Sequence, residues 1–340
     1  VSLPRCYRST AITVSLLLMV ILGGCANRPQ WPDQTSSAVS PIASSRSSDL
    51  DLDQRLILEQ VPFYAQEKYQ CGPASLAMML NAQGLTTEPD QLKDLVYLPG
   101  REGSLQVELV AAGRSHGMVV YELDGSLQSL LTEVAAGHPV MVMQNLRFNW
   151  WPQWHFAVVT GFDREKRNII LHTGTRELHE EAVEVFMATW NRTENWAVVM
   201  LPPGQLPATA EPIDYLMAVN DLETTGHWDT ASEAYRTAER AWPDQPAAIL
   251  GQGNIAWQAG DWAEATRHYL RLTSEFPDLA AGWHNLAQSL ARQGCESPAR
   301  NAAECAFSLK PDRFSLEMPA ISSGVSAECP SVDCPDTERP

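Results

Sequence analysis

The alternation of apolar and polar positions divides the chain into a mixed first half and a helical second half. Apolar residues gather at Leu56-Ile57-Leu58 and Val61, and the first long periodic run is Ala74, Leu76, Ala77, Met78 and Leu80. That spacing predicts a helix with Pro73 in its first turn, where the missing N–H needs no partner, and Gly84 at its end. Shorter helices are expected through Leu92 and Leu95, from Leu105 to Gly113 and from Ser126 to Ala136, with a strand from Met118 to Glu122. His138-Pro139 opens a strand over Val140 to Gln144, and Leu146 to Trp154 reads as a loop loaded with aromatics. Phe156–Gly161 and Asn168–Gly174 form a predicted antiparallel hairpin around the charged turn Asp163 to Arg167. A helix from Glu181 to Trp190 and a strand from Trp196 to Leu201 close this half.

Register within the hairpin decides which side chains meet. His155, Ala157 and Val159 share one face of their strand. A turn centred on Glu165-Lys166 puts His172 on that face and Leu171 on the other, and a slip of one residue exchanges them. The first register keeps the imidazoles together and the large apolar side chains together, so it is the expected one.

Pro202-Pro203, Pro207 and Pro212 mark a linker, and beyond it the sequence repeats. Gly226, Gly260 and Gly294 stand 34 residues apart, as do Ala231, Ala265 and Ala299, and Pro243, Pro277 and Pro311. Tyr235 and Tyr269 keep the same phase, with Ala303 in the third copy, and Trp228 matches Trp262. Three columns in phase over three units resemble the tetratricopeptide repeat, a helix–turn–helix hairpin stacked into a superhelix. The resemblance covers about residues 212–312. It implies a concave surface for a protein partner or an extended peptide.

Composition adds an address. The formal charge is −17 over 340 residues, which makes a nucleic-acid backbone an unsuitable partner. Arg5 and Arg8 precede an apolar run, Ala11 to Leu22, too short to span a bilayer comfortably. The run ends in Leu22-Gly23-Gly24-Cys25, which resembles a bacterial lipobox. The resemblance implies a signal segment over 1–24, lipid on Cys25 as the membrane contact, and Ala26 favouring the periplasmic face of the outer membrane. Residues 25–55 then read as a flexible tether rich in Ser, Pro, Asp and Gln. Cys295, Cys305, Cys329 and Cys334 are an even number in an exported chain, so one or two disulfides are expected among them. Cys295 and Cys305 do not suit each other, being separated by about 15 Å along a helix. No metal-ligand spacing and no cofactor motif is found.

The chemistry gathers around Gln66-Glu-Lys-Tyr-Gln-Cys71-Gly-Pro-Ala. A thiol at a helix N-terminus faces unpaired N–H groups and the positive end of the dipole, which favour thiolate. Gln66 can offer its amide to a developing oxyanion. Such a site also needs an imidazole, and His155 opens a strand far downstream. Together, Q-E-K-Y-Q-C-G-P-A and W-H-F-A-V-V-T-G-F-D resemble the C39 (bacteriocin-processing) cysteine peptidases and their stand-alone relatives, over about 58–200. The resemblance implies an α+β papain-like domain over 56–203, followed by the all-α repeat superhelix over 204–312 and a tail over 313–340. It makes Cys71 the nucleophile, His155 the general base and acid, and Gln66 the oxyanion donor. The family's third residue, Asp or Asn, falls at Leu171 or His172, so His172 is expected to orient His155. Trp150, Trp151 and Trp154 are candidates for a peptide-binding wall. Peptide-bond hydrolysis through a Cys71 thioester is the leading expectation. The alternatives are peptidoglycan stem-peptide cleavage by NlpC/P60-like chemistry, motivated by His172 and the outer-membrane address, and a catalytically relict assembly or docking lipoprotein.

Overall fold

The computed structural model describes residues 55–66, 70–101, 103–316, 321 and 329–334. The expected signal segment, Cys25 and the tether as far as residue 54 lie outside the described residues, as does much of the tail. The chain opens on β1 (Arg55–Ile57), followed by α1 (Cys71–Ala82), α2 (Pro89–Val96), α3 (Gln106–Ser115), β2 (Val119–Glu122) and α4 (Leu127–Ala135). Next come β3 (Val140–Asn145), β4 (Trp154–Asp163), β5 (Asn168–Thr173), β6 (Arg176–Ala182), α5 (Val183–Trp190) and β7 (Ala197–Leu201). The strands make one antiparallel sheet in the order β2-β7-β3-β4-β5-β6, and β1 pairs with the far end of β4. α1 is buried from Gly72 to Leu80, with Leu76, Met78, Met79 and Leu80 fully enclosed. Its start is thereby fixed against the rest of the domain. Gly72 has no alternative, because a Cβ there would stand 2.1 Å from Ser104 Oγ.

The β4–β5 register differs from the expected one. The turn is as predicted, with Asp163 opposite Asn168 and Gly161 opposite Ile170. The ladder then shifts, and Val159 faces Leu171 while Val158 faces His172. Thr160 is the extra residue of a bulge, and its carbonyl accepts the N–H of Leu58 at 2.7 Å. Gly161 is required beside it, since a Cβ there would meet the Leu56 carbonyl oxygen at 2.3 Å. The close pass of the first strand therefore accompanies the one-residue shift, which sends His172 to the face opposite His155 and brings Leu171 and Thr173 onto the His155 face. A second difference is β6. Its sequence, RELHEEA, is polar and mostly exposed, so no apolar alternation announces this edge strand, and the following helix begins at Val183 rather than Glu181.

The second half is a run of helices: α6 (Pro212–Thr224), α7 (Trp228–Ala241), α8 (Pro246–Gln258), α9 (Trp262–Glu275), α10 (Ala280–Arg292) and α11 (Glu296–Leu309). The 34-residue columns have direct structural meaning. Ala231, Ala265 and Ala299 are completely buried, and the Tyr235 and Tyr269 rings occupy the space left at Gly251 and Gly253. Disulfides Cys295–Cys329 and Cys305–Cys334 tie the tail segment to the last hairpin, where Val332 is buried and its carbonyl accepts from Asn301 Nδ2.

The two halves share a core, with Tyr215, Leu216 and Val219 continuing the cluster that holds the sheet. The linker is pinned by Glu133, fully buried on α4. Its carboxylate accepts the backbone N–H groups of Ala208 (3.1 Å) and Thr209 (2.7 Å) and the Thr209 hydroxyl (2.6 Å), and pairs with His138 Nδ1 at 2.7 Å. His138 is thus a linker-side partner rather than a free surface histidine. Glu133→Ala strands buried donors and should cost about 3 kcal/mol in urea unfolding, whereas Glu133→Gln, which keeps an acceptor, should cost less than half of that.

Candidate active site

Cys71 is the first residue of α1. Among the described residues no side chain caps this helix, so its first N–H groups stay open toward the thiol. Burial pushes the Cys71 thiol above its ordinary value, and the backbone N–H groups of Phe156, Gly72 and Cys71 itself pull it part of the way back. Cys71 is the free cysteine among the described residues.

The Phe156 backbone brings the other expected groups to the same place. His155 immediately precedes it, paired with Gln144 of β3. Gln66 Nε2 lies 3.5 Å from the Phe156 carbonyl and 3.4 Å from Ser75 Oγ, one helical turn beyond Cys71. Both contacts are long for hydrogen bonds, so the amide keeps donor capacity for a stronger acceptor. Its other end is fixed: the Gly174 N–H donates to Gln66 Oε1 at 3.2 Å, and the Gln66 N–H donates to the Gly174 carbonyl at 2.9 Å. The acceptor role toward Gly174 assigns which amide atom is oxygen.

His155 is oriented by a residue the sequence reading passed over. Its Nε2 is 2.7 Å from Thr173 Oγ1. In the tautomer a general base requires, Nε2–H donates to that hydroxyl and Nδ1 keeps its lone pair. Burial, with a smaller contribution from the charge of Arg176, pushes the imidazole down to about 4. It is therefore neutral at physiological pH. Thr173 orients the ring but lends no negative charge to an imidazolium. Among the described residues no hydrogen bond joins the thiol to the imidazole. The sulfur faces the N–H of Phe156, one residue along. Catalytic contacts of this kind commonly tighten only when substrate binds.

His172 does not orient His155. It is buried on the opposite face, where Nε2–H donates to the Val61 carbonyl at 3.2 Å and Nδ1 accepts the Leu178 N–H at 3.1 Å. Its role is to tie the segment after β1 to β6, and the bulge at Thr160 is the reason. Trp150, Trp151 and Trp154 stand exposed in and beside the β3–β4 loop, which ends just before His155. Phe148 stacks on Trp150 at 5.6 Å, and Arg147 lies over Trp151. The loop base is rigid: Asn145 Oδ1 accepts the N–H groups of Arg147 and Gln153, while Arg192 donates to the Asn145 and Arg147 carbonyls. A shallow cleft of about 230 Å³, lined by Tyr64, Gln70, Glu88 and Asp90, opens beside the start of α1. Among the described residues no group of three or more His, Cys, Asp or Glu could hold a metal ion, and no helix is long and apolar enough to cross a membrane.

Thr173 is not found by a reading that expects Asp or Asn at the third position and places that position at Leu171 or His172. The signal that could have found it is a hydroxyl residue before glycine at the end of the second hairpin strand. Arg176 was missed together with β6.

Residues 58–198 match the model of the Peptidase_C39 like family, and residues 216–280 and 250–303 match that of the tetratricopeptide repeat. A crystal structure described as a C39-like peptidase from Bacillus anthracis is 20% identical, covers 44% of this chain and 98% of its own, and has a TM-score of 0.36. No curated protein matches the sequence. The antiparallel sheet with helices thus carries the segment similar to the C39-like family, and the run of helices after it carries the segment similar to the tetratricopeptide repeat.

Two measurements check the site. By NMR, His155 should titrate near pH 4. Because the unfolded chain binds that proton first, stability should rise with pH between about 4 and 6.5, and His155→Gln should flatten this slope. Thr173→Val keeps the shape but removes the hydroxyl, and should change the Nε2 tautomer population while leaving the fold intact.

Proposed function

We propose that this C39-like domain is a cysteine peptidase in which Cys71 attacks a peptide carbonyl. The observation that carries the reading is the placement of His155 and Gln66 by one short stretch, Thr173-Gly174, beside the backbone that also faces the Cys71 sulfur. His155 Nδ1 takes the thiol proton as sulfur bonds to the carbonyl carbon. Gln66 Nε2 and the Cys71 N–H donate to the oxyanion. The tetrahedral species collapses to a thioester as the imidazolium gives its proton to the leaving amine. A water, deprotonated by His155, then releases the acid and restores the thiol. Buried thiol and neutral imidazole make the resting pair uncharged, so proton transfer and attack belong to the substrate complex rather than to a standing ion pair.

The repeats supply a docking surface for a protein partner or for the substrate. A concavity of about 400 Å³ lined by residues including Glu223, Asn254, Trp257, Tyr269 and Gln288 suits an extended chain rich in hydrogen-bonding groups. The protein is anchored in the cell envelope by lipid on Cys25, a reading supported by the lipobox-like segment and by two disulfides, which persist in oxidising compartments. The peptidoglycan alternative draws on His172 and on the outer-membrane address; His172 bonds Val61 and Leu178 rather than His155, and the address alone does not single out that substrate.

Cys71→Ala should abolish hydrolysis of a quenched peptide library without moving the thermal midpoint; hydrolysis at the wild-type rate in that variant would refute the assignment. Cys25→Ser should shift the protein from the membrane fraction to the soluble fraction after cell lysis.

A further inference from the structure

The β5–β6 turn holds a cation that the mechanism above does not use. Arg176 is the direct cross-strand partner of Thr173, the residue whose hydroxyl meets His155. Opposed residues of an antiparallel pair share a face, with Cβ atoms about 5 Å apart, so Arg176 flanks the imidazole. Its side chain is exposed, and its guanidinium contacts the His179 ring, 2.9 Å from Nε2. Burial and the Arg176 charge hold that ring below its ordinary value, so it does not neutralise the cation. Among the described residues Arg176 makes no ion pair; the acidic side chains of its own strand are otherwise engaged. Glu180 pairs with Arg55, the charge of Glu177 acts on His172 at the opposite face, and Glu181, bonded by Gln144, feels the Arg176 charge without forming an ion pair with it. The direction is also informative. The leaving amine takes its proton from His155, so the departing fragment lies on the imidazole side of the sulfur, where this turn stands.

We propose that Arg176 is a specificity-determining residue that pairs with a carboxylate on the leaving-group fragment of the substrate. The inference rests on the peptidase reading for its substrate, but the subsite itself is defined by geometry. A guanidinium fork matches a carboxylate in two parallel hydrogen bonds, and a fork that has no ion-pair partner beside a catalytic imidazole selects peptides that carry one. The carboxylate is either the α-carboxylate of a chain end or an acidic side chain just after the scissile bond.

The test uses the full chain and two small probes of nearly equal size, iodoacetate and iodoacetamide, with alkylation of Cys71 followed by mass spectrometry. The ratio of their rates should be about 10-fold higher in the wild type than in Arg176→Gln, and should persist in 0.5 M NaCl, where distant charges are screened. A ratio unchanged by the substitution, or one that collapses in salt, overturns the inference. Matched peptides then identify the source: preference for a C-terminal acid over its amide marks a chain end, and preference for Glu over Gln marks a side chain. Peptides cleaved equally by the wild type and Arg176→Gln defeat the subsite while leaving the peptidase intact. An Arg176-dependent iodoacetate preference with no peptide cleaved defeats the peptidase reading and keeps the subsite.

Discussion

Thr173 and Gly174, at the end of one strand, fix where His155 and Gln66 stand in the candidate site. The Thr173 hydroxyl sets the tautomer and direction of His155, and the Gly174 backbone clamps Gln66 through a reciprocal pair of hydrogen bonds. An imidazole and an amide that come from segments 89 positions apart in sequence are thereby held by consecutive residues. The helix that presents Cys71 is held separately, by burial of Gly72 to Leu80. Side chains fixed on a packed helix and a paired strand lose little further freedom on binding, which is what a preorganised site requires.

The placement of Thr173 depends in turn on a defect in the ladder. Without the extra residue at Thr160, the predicted turn would carry His172 onto the His155 face and turn Thr173 away. The bulge coincides with the pass of β1, where Leu58 bonds the Thr160 carbonyl and Gly161 leaves room for Leu56. A three-residue strand at the start of the domain thus bears on the candidate site some distance along the same sheet. The site also inherits its electrostatics from this arrangement. Burial dominates the pKa of both Cys71 and His155, raising the thiol and lowering the imidazole, so each is neutral when no substrate is bound. A hydroxyl at the third position is consistent with that state, because it orients a neutral ring without needing a buried countercharge.

Much of this was legible in residue order. The α1 helix, the hairpin turn, the repeat period and its alanine and tyrosine columns follow from periodicity and turn chemistry, which are local properties. The family-like spacing of Gln66, Cys71 and His155 was legible for the same reason. His172 was misplaced because register beyond a bulge is decided by a strand more than 100 residues away, which no local pattern reports. β6 escaped notice because an edge strand with polar side chains on both faces carries no alternation. Thr173 and Arg176 escaped with it, since each acquires its meaning only from what stands opposite.

The central claim is that Cys71 forms an acyl-enzyme through a base held by Thr173. It is tested most directly by mixing the protein with an activated peptidyl ester and following intact mass over the first turnover. One acyl group is expected on Cys71, formed at neutral pH and slowed about 100-fold in His155→Gln and about 10-fold or more in Thr173→Val, in line with the loss of general-base catalysis. Acylation of Cys71 at the same rate in all three proteins, or an acyl group on any other residue, would contradict it.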